Sequence, residues 1–383
     1  MIALADRLQT VEEYYFSKKL REVRQMISEG KKVINMGIGS PDFEPLPAIS
    51  EALKKGLEHP AAHQYQSYQG IPEMRKAMAD FYQNKFGVTL NFESEILPLM
   101  GSKEGIMHIS LAFLNPGDKV LIPNPGYPTY SSVTKLVQAE AVYYNLTEEN
   151  GWLPDFDELG KEDLQNVKIM WVNYPNMPTG ANADMAFYEK LVQFGKKHQI
   201  LIVNDNPYSF VLNENPISLL AVKDAGDTVL ELNSLSKTFN MAGWRIGMLM
   251  GSKPLIEAVL KVKSNMDSGM FYPLQCGAVA ALQSADSWYS HLNEMYAKRR
   301  NLIFKLADAL GCTYDTTASG LFVWAKLPES VVSAEAYIDK ILQEKHVFIT
   351  PGSIFGSNGS RYIRFSLCTT EENIEEAIRR VKK

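Results

Sequence analysis

The sequence predicts an α/β fold: a three-layer arrangement of a mostly parallel sheet with helices on both faces, joined to a smaller α+β domain. Three observations lead there. At 383 residues the chain exceeds what one hydrophobic core usually supports, so two domains are expected. Through the middle of the chain, short apolar runs alternate with amphipathic ones, the pattern of βα units whose strands are buried on both faces. From Ser252 onward that alternation gives way to longer helical patterns broken by two strand-like runs, as an α+β unit would give.

The charged opening stretch MIALADRLQTVEEYYFSKKLREVRQ has a helical pattern, with Tyr14, Tyr15 and Phe16 read more simply as a buried helix face than as the rim of a site. EILPLM is a strand and GSKEGIMHISLAFL the helix after it. KVLIPNP, the helical YSSVTKLVQA and the strand EAVYYNL follow. VKIMWVN and ILIVND are short buried strands with the helix DMAFYEKLVQFGKKHQ between them, and VLELNS and IGMLMG continue the series. SKPLIEAVLKVKS and MYAKRRNLIFKLADAL are helices; GLFVWAKL, a further helix and RYIRFSL complete the chain. Residues 1–45 are expected to join the small domain, 46–284 to form the large domain and 285–383 the rest of the small one. No Gly/Ser linker, repeat or low-complexity segment separates them.

Composition narrows the class. Hydrophobic residues make up 45% and charged residues 22%, ordinary for a globular enzyme. With 39 basic against 44 acidic residues the net charge is −5, which leaves no electrostatic footprint for nucleic acid or an anionic membrane. Cys276, Cys312 and Cys368 stand far apart, without metal-ligand spacing or a disulfide framework, so no metal and a reducing compartment are expected. The opening lacks the apolar core of a signal peptide, and no apolar run approaches the roughly 20 residues of a membrane span. A cytoplasmic location is expected.

Open parallel sheets bind ligands beyond the carboxyl ends of their strands. There the sequence places Gly101-Ser102 after ILPLM, Asn173 ending WVN, Asp205 ending LIVND, and Ser234 after VLELN. Each of these residue types is also an ordinary turn or helix cap. Four of them at one sheet edge favour a site. The turn GSKEG opens a helix directly after a strand, where backbone N–H groups and the helix dipole suit a phosphate. Neither a G-x-x-x-x-G-K-[ST] phosphate loop nor a G-x-G-x-x-G dinucleotide fingerprint occurs. The strongest segment is SLSKTFNMAGWRIG. Lys237 lies just past a strand end, between Ser236 and Thr238, with Arg245 eight residues later. By itself such a lysine is a surface loop residue. In these surroundings it fits a carbonyl cofactor: the amine forms an imine while Ser234 and Arg245 hold an anion nearby. A free lysine titrates near ~10.4, so neighbouring positive charge must lower its pKa before it attacks as an amine.

This segment resembles the lysine signature of class I/II, fold-type-I pyridoxal-phosphate aminotransferases, and the similarity runs from NMGIGSPDF to PGSIFG and RYIRFSL. The resemblance implies an enzyme that moves an amino group between an L-amino acid and a 2-oxo acid. Lys237 matches the Schiff-base lysine, which also moves the substrate proton. Asp205 matches the acid on the pyridine nitrogen, and Tyr208, three residues later, the phenol on the cofactor's O3′. Tyr127 matches the aromatic stacked on the ring. Ser102, Lys103, Ser234, Ser236 and Arg245 match the phosphate-binding set, with Arg245 supplying charge-assisted bonds. Tyr65, five residues before Gly70, matches a tyrosine that reaches the neighbouring subunit's phosphate, which implies a homodimer with shared active sites. Arg364 matches the clamp on the substrate α-carboxylate, and Gly39 a glycine lining the same pocket. Asn124-Pro125 and Met177-Pro178 sit where the family tends to use cis peptide bonds.

One departure stands out. The family usually reads Asn-Pro-Thr-Gly where this chain reads Met177-Pro178-Thr179-Gly180, so methionine replaces an asparagine that contacts O3′ and substrate. Two readings stay open: Tyr208 is the sole side-chain donor there, or Asn176, one residue earlier, takes the cofactor-binding role. A fold-type-I carbon–sulfur β-lyase is the alternative activity, since both reactions begin alike. A cofactor-sensing regulator would need a DNA-binding domain ahead of the fold, and only about thirty residues precede VINMGIGSPDF. GSKEG with Asn265-Met266-Asp267-Ser268-Gly269 resembles the branch that contains LL-diaminopimelate aminotransferases, without fixing a side-chain preference.

Overall fold

The computed structural model describes residues 2–11, 13 and 15–382; Tyr14 lies outside them. Thirteen strands occur among the described residues. In chain order they are β1 (Ile34–Asn35), β2 (Ile96–Leu99), β3 (Lys119–Asn124), β4 (Glu140–Asn145), β5 (Val167–Val172), β6 (Leu201–Asp205) and β7 (Val229–Ser234). Then come β8 (Gly247–Gly251), β9 (Thr313–Tyr314), β10 (Phe322–Lys326), β11 (Val347–Phe348), β12 (Thr350–Pro351) and β13 (Tyr362–Ser366). Seven of them form one sheet in the order β2-β8-β7-β6-β5-β3-β4. Strands β4, β3, β5, β6 and β7 pair in parallel, and β8 runs antiparallel to both β7 and β2.

Alternate residues of these strands enter different layers, as the two-residue period of a strand requires. Ile169 and Trp171 pack with Ile106 and Ile109 of the helix Ser102–Phe113 and with Ile256 and Val259 of the helix Lys253–Lys263. Met170 and Val172 face the opposite way, toward Tyr188, Leu191 and Val192 of the helix Met185–His198. That helix starts where the Asp184 carboxylate accepts the Phe187 N–H at 2.7 Å, and it stops at Gln199 in the left-handed conformation.

A second sheet, β12-β13-β10-β9, is antiparallel, and the helix Asp286–Ala309 packs beside it. The helical run read from Met295 thus begins earlier, at Asp286. The N-terminal segment is stitched into this part. β1 pairs in parallel with β11, the Met36 N–H donates to Phe348 O at 2.8 Å, and the Ser366 N–H donates to Met36 O at 2.7 Å. Residues 36–39 therefore run past β13 toward the carboxyl edge of the large sheet. No described helix is long and apolar enough to cross a membrane.

Candidate active site

The carboxyl edge of the large sheet opens into a cavity of about 360 Å³, closed on its far side by β10, β13 and the segment around Gly39. Ser102, Lys103, Tyr127, Asp205, Tyr208, Ser234, Ser236, Lys237 and Arg245 line it from the large sheet, and Gly39 and Arg364 line it from the other side. Tyr65 and Asn176 are absent from this lining.

At one end, two glycines let three segments converge. Gly101, with φ +95°, precedes the helix Ser102–Phe113; a Cβ there would fall 2.2 Å from Arg245 Nη2. A Cβ on Gly247 would fall 2.6 Å from the Ser102 nitrogen. Because Gly247 lies in register with both Leu99 and Ser234, the reversed strand β8 delivers Arg245 between the two loops. Arg245 itself has φ 58°, and its Nη1 donates to Ala242 O at 2.9 Å. Partial burial, and then the Arg245 charge, lower the pKa of Lys103. Two cations, three serines counting Ser236 and a helix N-terminus make this end a receptor for an anion.

On the floor, the Lys237 ammonium donates to Gly39 O. Burial lowers its pKa, Arg364 and Arg245 push the same way, and Cys368 and Asp205 oppose. Asp205 ends β6 with one carboxylate oxygen accepting the Tyr130 hydroxyl at 3.0 Å. Its other oxygen is buried without a hydrogen-bond partner among the described residues. Burial raises this carboxyl from 3.8 to about 7, against the smaller opposing effects of Tyr130 and Lys237. A buried acid with one oxygen aimed into a cavity lacks a donor, and a cationic ring N–H is the kind of group that would supply one. The residues present therefore fit a pyridine cofactor carrying a phosphate at the other end.

Tyr208 is buried on the loop after Asp205, and burial raises its phenol pKa. That loop is pinned from behind by Glu231, which lies fully buried in the middle of β7. The carboxylate accepts bonds from Tyr82 Oη (2.9 Å), Asn204 Nδ2 (3.0 Å), Ser218 Oγ (2.8 Å) and the Leu219 N–H (2.9 Å). Asn206, next to Asp205, reaches it at 3.4 Å and accepts the Ser209 hydroxyl.

The expectation for Asn176 is corrected by its hydrogen bonds. Its amide donates to Asn173 O at 3.2 Å and accepts the Thr179 hydroxyl at 2.8 Å, while its backbone closes the turn through Gly180 and Ala181. Both ends of the side chain are engaged inside its own turn. Met177 and Asn173 line the cavity instead. Asn173 Nδ2 donates to Asp205 O, and its Oδ1 accepts the Met177 N–H at 2.7 Å. The Asn124-Pro125 and Met177-Pro178 bonds are both cis, as is Tyr174-Pro175.

Arg364 crosses the opposite end. Its Nη2 donates to Gly37 O at 2.9 Å and its Nη1 to the Met177 sulfur at 3.1 Å. The guanidinium lies 3.8 Å from the Phe322 ring centre and 4.5 Å from that of Phe355. Gly39 passes so close to Phe322 that a Cβ would fall 2.2 Å from the ring. Tyr65 is 91% exposed and does not reach this chain's own cavity. Phe16, Ile38, Tyr130, Phe322 and Phe355 are lining residues that sequence reasoning did not select. Glu104, His108 and Asp267 bring three possible metal ligands within 4.8 Å, but Lys263 ion-pairs Asp267 at 2.9 Å, so that carboxylate already has its cation.

A family model described as aminotransferase class I and II matches residues 31–381. An LL-diaminopimelate aminotransferase of Nitratidesulfovibrio vulgaris (strain DSM 19637 / Miyazaki F) is 40% identical over 381 residues, covering 99% of this chain and 98% of the relative. One of Aquifex aeolicus is 39% identical, covering 100% of this chain and 99% of the relative. Among solved structures, substrate-bound BacF from Bacillus subtilis superposes with a TM-score of 0.95 at 36% identity, over 100% of this chain and 98% of that one. Thermus thermophilus aspartate aminotransferase with maleate gives 0.93 at 25% identity, over 100% and 99%.

Proposed function

The chain belongs to the class I and II aminotransferase family, and from that premise we propose that it works with pyridoxal 5′-phosphate covalently anchored on Lys237. It moves an amino group between an amino acid and a 2-oxo acid. The observation that carries the cofactor reading is the shared cavity: a buried amine, a buried carboxylate oxygen without a donor, an anion-binding end and an arginine at the other end.

When bound, the cofactor supplies an aldehyde carbon that accepts amines and a ring that takes up electrons released at the substrate α-carbon. Asp205 would hold the ring nitrogen protonated; that positive charge in turn keeps the buried carboxylate ionised. Ser102, Lys103, Ser234, Ser236 and Arg245 would grip the phosphate, Arg245 by charge-assisted bonds. Tyr127 would cover one ring face, and Tyr208 would donate to O3′. Lys237, its neutral form favoured by burial, takes and returns the proton at the substrate α-carbon. Arg364 would receive the α-carboxylate in a planar two-bond fork beside Gly39. Exposed Tyr65 supports a homodimer in which each subunit completes its partner's phosphate site. Three scattered free cysteines support a cytoplasmic location.

Product analysis tests this reading. With an amino donor and pyruvate or 2-oxoglutarate, the enzyme should release one keto acid for each new amino acid, in equal amounts. Pyruvate and ammonia released from a cysteine conjugate, with no amino acceptor consumed, would instead mark a β-lyase.

A further inference from the structure

We infer that Lys263 and Asp267 are positioning residues for the cavity of the partner subunit: they hold the segment that presents Tyr65, and so act across the dimer rather than in the cavity of their own chain. This rests on the proposed homodimer in which Tyr65 completes the partner's phosphate site. Residues 57–71 join the helices Pro47–Gly56 and Pro72–Phe86 without regular structure of their own. Such a segment has no helix or sheet ladder to fix it, so its path depends on bonds to its surroundings. Tyr65 stands 91% exposed near its middle, and Tyr68, Met266 and Phe271 are exposed as well.

Residues 263–275 hold this segment at three points. Lys263, the last residue of the helix Lys253–Lys263, is 2% exposed. Its ammonium donates to Tyr68 O at 3.0 Å and to Asp267 Oδ1 at 2.9 Å. The same carboxylate oxygen accepts the Gly269 N–H at 2.8 Å. Gly269, with φ +86°, then passes so close that a Cβ would fall 2.5 Å from Gln66 O and 2.8 Å from Ser67 O. Gln275, fully buried, accepts the Ile71 N–H at 2.7 Å and donates to Met270 O at 2.6 Å. Two of these holds fall within three residues of Tyr65. Burial strips both Lys263 and Asp267 of water, and their attraction does little more than offset that loss. What the pair supplies is geometry, the path of the backbone from Gln66 to Tyr68. Neither residue is among those lining this chain's cavity. Asp267 also lies within 4.8 Å of Glu104 and His108, on the helix that opens the anion-binding end, so changes at Lys263 and Gly269 separate the two subunits more cleanly.

Hybrid dimers of the full chain test this. Lys263→Met protein is paired with Lys237→Ala protein, each carrying a different affinity tag, and the mixed dimer is isolated. In its one lysine-bearing site the Lys263→Met chain surrounds the cofactor, and the unaltered Tyr65 segment reaches in from the Lys237→Ala chain. Apo dimers are titrated with pyridoxal 5′-phosphate while the visible band of lysine-bound cofactor is followed. Lys263→Met homodimers should need at least ~10-fold more cofactor than wild type, the loss of about one hydrogen bond to a charged group. The hybrid should bind cofactor as tightly as a hybrid of wild type and Lys237→Ala, because a defect confined to the fold of one chain is not repaired by the other. If Lys263→Met fails to fold, Gly269→Ala, which pushes on Gln66 and leaves the ion pair in place, takes its part with the same expectation. A defect that persists in the hybrid, or a homodimeric variant with wild-type cofactor affinity, overturns the inference. Tyr65→Phe, carried through the same homodimer and hybrid, tells the two readings apart. If its defect is repaired across the dimer and that of Lys263→Met is not, only the role of Lys263 and Asp267 falls. If Tyr65→Phe shows no defect that the partner repairs, the shared site falls, and this inference with it.

Discussion

Replacing Asp205 with asparagine isolates the cost of keeping an acid inside this cavity. Asp205 is 5% exposed, and burial raises its carboxyl from 3.8 to about 7. A group that holds its proton more tightly when folded stabilises the fold at low pH and loses that contribution as the pH rises. In the cofactor-free protein the loss should begin near pH 4, where the unfolded carboxyl titrates, and end near pH 7. At about 1.4 kcal/mol per tenfold change, the full effect is about 4 kcal/mol; water entering the cavity reduces it, so about 2–4 kcal/mol is expected. Asparagine does not titrate and can still accept the Tyr130 hydroxyl. Lys237 contributes its own pH dependence to both proteins, so comparing them at each pH largely cancels it. Urea unfolding of apo wild type and Asp205→Asn should therefore give similar stabilities near pH 4 and a variant that becomes progressively more stable than wild type up to pH 8. Adding cofactor should reverse the order at pH 8, because a ring N–H then partners the ionised carboxylate. A stability difference that stays flat between pH 5 and 8 would show that folding does not raise the pKa of Asp205.

Arg364→Lys should weaken amino and keto acids alike by about 1.5–3 kcal/mol for a lost charged hydrogen bond, with the cofactor absorbance unchanged; loss confined to one side-chain class would make Arg364 a specificity residue. Glu231→Gln places an amide among the five donors that now face a carboxylate, and should cost about 1–3 kcal/mol in urea unfolding. The same variant should shift the visible band if Glu231 truly fixes the Tyr208 loop; loss of stability with an unmoved spectrum would confine its role to the core. Met177→Asn adds a donor beside O3′ and should lower the pH at which the holoenzyme's visible band titrates. Asn176→Ala should leave that titration alone and destabilise the turn by about 1–2 kcal/mol, since its amide is committed to Asn173 and Thr179; the opposite pattern would return the role to Asn176.

The parts of this molecule legible in the sequence are those where one physical cause dominates. Buried parallel strands must be apolar and must end in polar turns, so WVN, LIVND and VLELNS mark both the strands and the edge where Asn173, Asp205 and Ser234 lie. The direction of β8 was not legible, because IGMLMG presents the same apolar run whichever way it crosses the sheet. Phe16, Phe322 and Phe355 were not legible as site residues either: an aromatic lining a cavity and one filling a core have the same pattern, and these three come from opposite ends of the chain. Glu231 did leave a signal, a carboxylate between Leu230 and Leu232 in a buried strand, and a network of donors surrounds it. Asn176 misled because adjacency in sequence stood in for adjacency in space; the turn that carries Met177 into the cavity directs its neighbour's amide inward.

We propose that the amine of Lys237 holds the cofactor. Borohydride reduction of the yellow holoenzyme, followed by proteolysis and mass spectrometry, tests it most directly. One reduced adduct is expected, on the peptide containing SLSKTF, and none in Lys237→Ala protein, which should also lose transamination by several orders of magnitude. An adduct on another lysine, or full activity without Lys237, would contradict it.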